Sequence, residues 1–249
     1  MVLDRVQKIQ DDGYAFPYHY VAEYKRGFSQ CYNFPWGINY AATLEFLRDR
    51  LKKESFESLI DVGCGDGRIA KEVQTNFKNK VVEGVDYSSR SINLARALNE
   101  EGTYHNLNII EEQLPRRYDI ALLIEVFEHI PPELGDSFLQ AVANLLKDGG
   151  TLLLTVPHGN MPTEDKHYRH FTVETLSSCL APYFNIVEII PFEKIDWRKD
   201  FIDTILTNKL FILNSMKLKN ILYRYYKKHL FHVTDEKTCK RIYIKAQKR

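Results

Sequence analysis

The stretch LIDVGCGDG, residues 59–67, decides the fold. A short apolar run, Leu59 to Val62, gives way to three glycines set two apart: Gly63, Gly65 and Gly67. Such a run bounded by glycines reads as a buried strand that turns sharply at its end. Glycine lets the backbone turn tightly and lets a ligand approach where a Cβ would otherwise stand. A dinucleotide loop carries G-x-G-x-x-G, its last glycine seating a helix whose N-terminus faces a pyrophosphate. Here Arg68 holds that last place, and the pattern is G-x-G-x-G. Asp61 stands inside the strand, where a carboxylate suits a cationic or ammonium-bearing ligand. Asp86 closes the next apolar run, VEGVD, at a position where a carboxylate accepts both hydroxyls of a ribose. Nicotinamide and adenosyl ligands both offer that ribose, and Arg68 disfavours the first.

Outward from the glycine loop, apolar runs alternate with helical segments. SLIDVG, KVVEGVD, LNII, YDIALLI, TLLLTVP, NIVEIIPF and CKRIYIKA read as strands. Residues 39–53, GRIAKEVQTNF, SSRSINLARALNEEG, residues 133–147 and TVETLSSCLAPYF read as helices. Ser88 or Ser89 and Thr172 supply N-caps, and Gly102 and Gly149-Gly150 supply stops. The alternation predicts an α/β fold, a parallel sheet joined by right-handed crossovers. Such a sheet binds its ligand at the carboxyl ends of the strands. Three chemically loaded sequences then share one rim: the glycine loop, Asp86-Tyr87, and Glu125 to His129.

The composition narrows the classes. A chain of 249 residues, 44% hydrophobic and 27% charged, suits one soluble domain with elaborations. A net charge of +1 provides no global field for nucleic acid. The four cysteines are scattered without a C-x-x-C pair, which argues against a zinc framework or a disulfide scaffold. The opening MVLDRVQKIQDD lacks the apolar core of a signal peptide, and no run of about 18 apolar residues spans a membrane. The expected location is cytoplasmic, with peripheral contact to a membrane as the alternative.

LIDVGCGDG, VEGVDYS, YDIALLIEVFEHI, LKDGGTLLLTVP and the terminal strand pair together resemble class I S-adenosylmethionine-dependent methyltransferases. The resemblance covers about residues 55–192 and resumes at 239–247. It implies a Rossmann-like, seven-stranded, mostly parallel sheet with helices on both faces. The last strand is antiparallel and inserted between the fifth and sixth. It also implies that Gly63 and Gly65 line the methionine portion of the cofactor, that Asp61 helps hold that end, and that Asp86 holds the ribose. Tyr87 is expected near the adenine, and Glu125 is assigned to the cofactor as well. One position departs from the family. The acid that contacts the adenine amine is replaced by Ile110, with Glu111 or Glu112 as substitutes on a shifted loop.

IEVFEHIPP, residues 124–132, puts Glu125, Glu128 and His129 at i, i+3 and i+4, one face if the chain turns helically. A second cluster, His158, His167 and His170, follows the fifth strand. Three readings stand side by side. In the first, Glu125, Glu128, His129 and one of His167 or His170, with His170 preferred, ligate a divalent metal such as Mn, Mg, Fe or Zn. This E-x-x-E-H run resembles that of small-RNA 2′-O-methyltransferases and ubiquinone-pathway O-methyltransferases, in which a divalent metal is involved. In the second, His129, His170 and Glu128 act in catalysis without metal. In the third, Glu128 and His129 cap the turn before Pro131-Pro132 and His170 anchors the next helix.

Residues 1–38 carry Tyr14, Phe16, Tyr18, Tyr20, Tyr32, Phe34 and Trp36, the makings of a lid; His19 and Trp36 are its leading candidates for acceptor contact. The core is expected at 39–192 and 239–249, with an insertion at 193–238. Within residues 204–232 there are six Lys or Arg and no Asp or Glu. This basic helical stretch suits a membrane surface, a polyanionic acceptor or a homodimer, through residues 201–232. The expected activity is methyl transfer to an oxygen of a small molecule or of a glycan or lipid-linked intermediate. Metal-assisted methylation of an RNA ribose and a non-catalytic adenosyl-binding adaptor are the alternatives.

Overall fold

The computed structural model describes residues 4–14, 37–207, 213 and 215–249. Of the aromatic residues of the opening segment only Tyr14 falls among them; Phe16, Tyr18, His19, Tyr20, Tyr32, Phe34 and Trp36 lie outside the described residues. Seven strands form one sheet: β1 (Ser58–Val62), β2 (Val81–Asp86), β3 (Thr103–Asn106), β4 (Tyr118–Ile124), β5 (Leu146–Pro157), β6 (Phe184–Lys194) and β7 (Cys239–Lys248). Their order across the sheet is β3-β2-β1-β4-β5-β7-β6. The first five pair in parallel, and β7 runs antiparallel to both β5 and β6. The Rossmann-like expectation, with an inverted last strand between the fifth and sixth, is met.

The strands read as unbroken apolar runs because both sheet faces are covered. Successive residues go to opposite cores. Ile60, Val62, Ala121 and Leu123 pack under α5 (Gly135–Leu145) and α6 (Val173–Leu180). Leu59, Ile120, Leu122 and Leu153 pack under α2 (Gly37–Leu51), α3 (Arg68–Asn76) and α4 (Ser89–Leu98). A short helix, α1 (Arg5–Gly13), precedes them, and α7 (Trp197–Thr207) and α8 (Met216–Tyr226) fill the connection between β6 and β7. Among the described residues no helix is long and apolar enough to cross a membrane.

Local chemistry set the ends of several elements as expected. Ser88 caps α4 by accepting from the Ser91 N–H, and Thr172 caps α6 in a reciprocal box with Thr175. Three expectations are corrected. LNII is not the third strand; that strand is Thr103–Asn106, in register with Glu83–Asp86. The Asn108 side chain accepts the Ile110 N–H and its carbonyl accepts those of Glu111 and Glu112, which turns the chain instead. Helix α4 ends at Asn99, not at Gly102, whose missing Cβ makes room for Tyr104. The helix expected over 133–147 starts at Gly135 and yields to β5 at Leu146.

The turn after β4 is hung on one aromatic side chain. Phe127 is fully buried, stacked on Phe171 at 5.1 Å and Phe138 at 6.2 Å, with the Arg169 guanidinium 5.0 Å from its ring centre. Because Val126 and Glu128 flank it, that stack fixes where both neighbours point. Phe127→Ala is expected to lower stability by about 3–5 kcal/mol in urea unfolding, with Phe127→Leu losing less.

Candidate functional site

The carboxyl ends of β1, β2 and β4 open on a cavity of about 940 Å³, closed on its other side by α1 and α2. That volume suits a nucleoside-sized ligand with a partner beside it. Gly63 and Gly65 form part of its wall, both in the left-handed region at φ +69° and +55°. A Cβ at Gly63 would meet Val126 at 2.6 Å, and one at Gly65 would meet the Tyr14 hydroxyl at 2.8 Å. The glycine loop is therefore closely packed by the turn after β4 and by the end of α1.

Asp86 anchors this loop. Its two oxygens accept the Gly65 N–H at 3.0 Å and the Ser88 N–H at 2.9 Å. Each oxygen keeps a second lone pair, and the residue lines the cavity, so it can still meet a diol. Burial raises its carboxyl above the usual range. Tyr87 lines the cavity next to it, and burial raises its phenol. Asp61 sits elsewhere than expected. It lies beneath the loop, outside the cavity lining, where the Ala70 backbone bonds it. Its Oδ2 is buried without a hydrogen-bond partner, and burial pushes the carboxyl up to about 8. Beyond β3, Ile110 and Glu111 line the cavity and Glu112 does not.

After β4 the chain does not continue as a helix through Glu125. That residue adopts φ +54°, and only Phe127–His129 form a short 3-10 turn. Glu125 therefore leaves the face of Glu128 and His129. Its Oε2 accepts from Arg241 Nε at 2.9 Å, and Arg241 Nη1 also bonds Glu193, a second residue with positive φ. Glu125 lines the cavity with Arg241, and its Oε1 is buried without a hydrogen-bond partner.

Glu128, His129 and His167 do converge, with one ligand atom from each lying within 4.8 Å of the others. Glu128 is fully buried, and neither of its oxygens has a hydrogen-bond partner. Burial, reinforced by Glu125, pushes its carboxyl well above the usual range. His129 Nδ1 lies 2.7 Å from the Lys166 carbonyl. A carbonyl only accepts, so Nδ1 carries the proton and Nε2 presents a lone pair, 4.0 Å from Glu128 Oε1. The same logic runs through His170. Its Nδ1 donates to the Met161 carbonyl at 3.0 Å, and the facing Nε2 is the acceptor for His167 Nδ1 at 2.8 Å. His167 Nε2 is thereby left as a lone pair. Burial lowers His129 to about 4 and His167 to about 3, so both rings are neutral at pH 7.

His170 thus stands behind His167 rather than among the converging groups, because its ring is committed to Met161 and His167. His158, between Glu236 and the Asn160 N–H, ties β5 to the approach of β7 and takes no part. Sequence reasoning missed Arg241 and Glu193. They sit in strands with no local motif, and only the strand order brings them to the cavity rim.

A family model described as a methyltransferase domain matches residues 38–193. The chain belongs to that family. Among similar proteins, the ubiquinone biosynthesis O-methyltransferase of Nitrosomonas europaea is 28% identical over 123 residues, 47% of this chain and 51% of that one. Its counterpart in Neisseria meningitidis is 28% identical over 148 residues, covering 57% and 56%. The chain spans about half the length of these curated relatives. A crystal structure of a SAM-dependent methyltransferase from Archaeoglobus fulgidus superposes with a TM-score of 0.55 at 17% identity, over 82% of this chain and 94% of that one. That likeness speaks to the methyltransferase fold.

The Asp61 carboxyl makes the stability of the fold depend on pH. Its folded pKa, about 8, lies above the ordinary 3.8, so the folded state holds the extra proton between those values. Its contribution to stability is full below about pH 4 and is lost as pH rises toward 8, by up to about 1.4 kcal/mol per unit. Urea unfolding at pH 5 and pH 8 should show a smaller loss in Asp61→Asn than in the wild type.

Proposed function

We propose that this methyltransferase moves the methyl group of S-adenosylmethionine to a hydroxyl oxygen of a small molecule or of a glycan or lipid-linked intermediate. One observation carries the reading. Three electron-rich groups, the Glu128 carboxylate and the Nε2 lone pairs of His129 and His167, face one another at the inner wall of the cavity. Acceptors facing acceptors need a cation or a proton between them. The relatives named as O-methyltransferases support oxygen as the receiving atom.

The roles follow from chemistry. Asp86 holds the ribose diol, Tyr87 lies along the adenine, and Gly63 and Gly65 allow the methionine portion close to the backbone. The acceptor oxygen must lie in line with the S–CH₃ bond, about 3 Å from the methyl carbon. As the C–S bond breaks and the O–CH₃ bond forms, the hydroxyl loses its proton and the products are a methyl ether and S-adenosylhomocysteine. Glu128, whose carboxyl burial raises, is the proton acceptor. His129 and His167 are poor bases, since imidazoles near 4 and 3 hold protons weakly at neutral pH.

The same two rings suit a metal better than a proton. Their lone pairs are fixed by hydrogen bonds on the opposite ring nitrogen, the arrangement that orients imidazole ligands. With the orphaned Glu128 oxygens they fit a divalent cation such as Mn²⁺, Fe²⁺, Zn²⁺ or Mg²⁺. Such a cation would hold the acceptor oxygen and lower its pKa. Glu125, the further carboxylate expected in the ligand set from sequence, has one oxygen held by Arg241 instead. His170 then serves by fixing the tautomer of His167. Residues 193–238 serve as an accessory to the core at 39–192 and 239–249.

Two measurements test this. Calorimetry with S-adenosylhomocysteine should show micromolar binding that Asp86→Ala weakens by at least about tenfold; no binding by the wild type ends the methyl-transfer reading. Equilibrium dialysis with Mn²⁺ should show one bound ion, weakened about 10–100-fold by His170→Ala and more by His167→Ala. Retention of Mn²⁺ at wild-type affinity in both variants removes the metal from the proposal while leaving Glu128 as the base.

A further inference from the structure

The connection between β6 and β7 lies at the cavity rim. Since β7 is antiparallel to both neighbours, β6 runs parallel to β5, and α7 leaves it at the sheet edge that carries the glycine loop. The inner side of this connection belongs to the core. Ile202, Tyr226, Leu230 and Phe231 are buried, and the Tyr226 hydroxyl donates to Asn39, a cavity-lining residue, at 2.9 Å.

The outer side is unusual in its chemistry. Trp197 and Phe201, one helical turn apart on α7, are 74% and 59% exposed. On α8, Leu218, Ile221 and Tyr225 share one exposed face, with Ile221 55% exposed. Arg198 Nη1 donates to the Tyr225 hydroxyl at 3.1 Å and holds the two helices side by side. Lys217 and Arg224 fall roughly 20° apart on the α8 wheel, next to Ile221, and Lys228 follows in the π-helical turn Lys227–Phe231. All three are exposed, and among the described residues no carboxylate lies within ion-pair distance of them. The acids nearby are largely committed: Asp196 to Arg198 and Lys194, Asp203 to Lys199. Asp200 is the exposed acid of this face.

We propose that this face docks on the anionic surface of a lipid bilayer. Exposed tryptophan and aliphatic side chains beside unpaired bases match an interface in which apolar tips enter the acyl boundary and cations meet the headgroups. A second copy of the chain is a poorer occupant, because self-pairing would bring like charges together. A nucleic acid would use the bases but leave Trp197, Phe201 and Ile221 in water. The inference stands without the methyl-transfer reading. If that reading also holds, an acceptor dissolved in the bilayer reaches the rim from the membrane side.

Flotation of the full-length protein with vesicles tests the proposal, using phosphatidylcholine alone or with about 30% phosphatidylglycerol at ~0.1 M salt. Co-flotation with the anionic vesicles and not with the neutral ones is expected. The triple variant Lys217→Glu, Arg224→Glu, Lys228→Glu should lower the bound fraction about tenfold or more. The double variant Trp197→Ala, Phe201→Ala should lower it comparably, and both should keep a Tm within about 4 °C of the wild type. No flotation with either vesicle, or wild-type flotation by both variants, overturns the proposal. So does a stable dimer in light scattering that the double variant dissociates, or retention on single-stranded RNA that exceeds retention on anionic vesicles. These readings use no methyl acceptor, so they fail or succeed apart from the catalytic reading.

Discussion

Arg241 is the point on which the cavity rim depends. It is delivered by β7, the one strand inverted in the sheet, to a position between the ends of β4 and β6. There it bonds Glu125 and Glu193, and both carboxylate residues adopt left-handed backbone conformations. Such a conformation costs a non-glycine residue about 1 kcal/mol or more. The guanidinium offsets that cost because its rigid fork bonds two carboxylates that would otherwise repel each other. With Glu125 turned toward Arg241, the chain is free to drop into the 3-10 turn that carries Glu128 and His129 inward.

The resulting site separates its charges by environment. Asp86 is buried but bonded by two backbone N–H groups, so it keeps partners that favour its charged form. Burial raises all three buried carboxyls, Asp86, Asp61 and Glu128, and the Glu128 carboxyl rises well above the usual range. The two imidazoles are pushed down and stay neutral. A neutral ring with a lone pair fixed on one nitrogen is a different chemical object from a titrating histidine. The carbonyls of Lys166 and Met161 make that choice, and both belong to the loop after β5.

Helix α1 links this chemistry to access. Asp4 bonds the Tyr168 hydroxyl on the loop after β5, and Asp11 bonds Ser88 at the start of α4, with Arg90 pairing the same turn. Tyr14 ends the helix directly over Gly65. The contacts that hold α1 across the cavity are thus polar and peripheral, while its helical start is set by the Asp4–Gln7 box.

The sequence by itself determined the alternation of strands and helices, the glycine loop, the carboxylate that ends β2 and the caps of α4 and α6. Each of these is local: apolar runs buried on both faces, glycines required at positive φ, hydroxyls beside helix starts. It also marked Glu128 and His129, because charge at the end of a buried strand demands a partner. It misjudged the third strand, where an asparagine turn overrode an apolar run, and it assigned Glu125 and His170 to the wrong side of the cluster. Only the tertiary structure decided those points. Whether His167 or His170 faces Glu128 depends on which ring finds the Met161 carbonyl. Whether Glu125 joins the cluster depends on an arginine 116 residues away, brought near by the strand order. No spacing rule reaches that far, because the partners meet only once the inverted strand is in place.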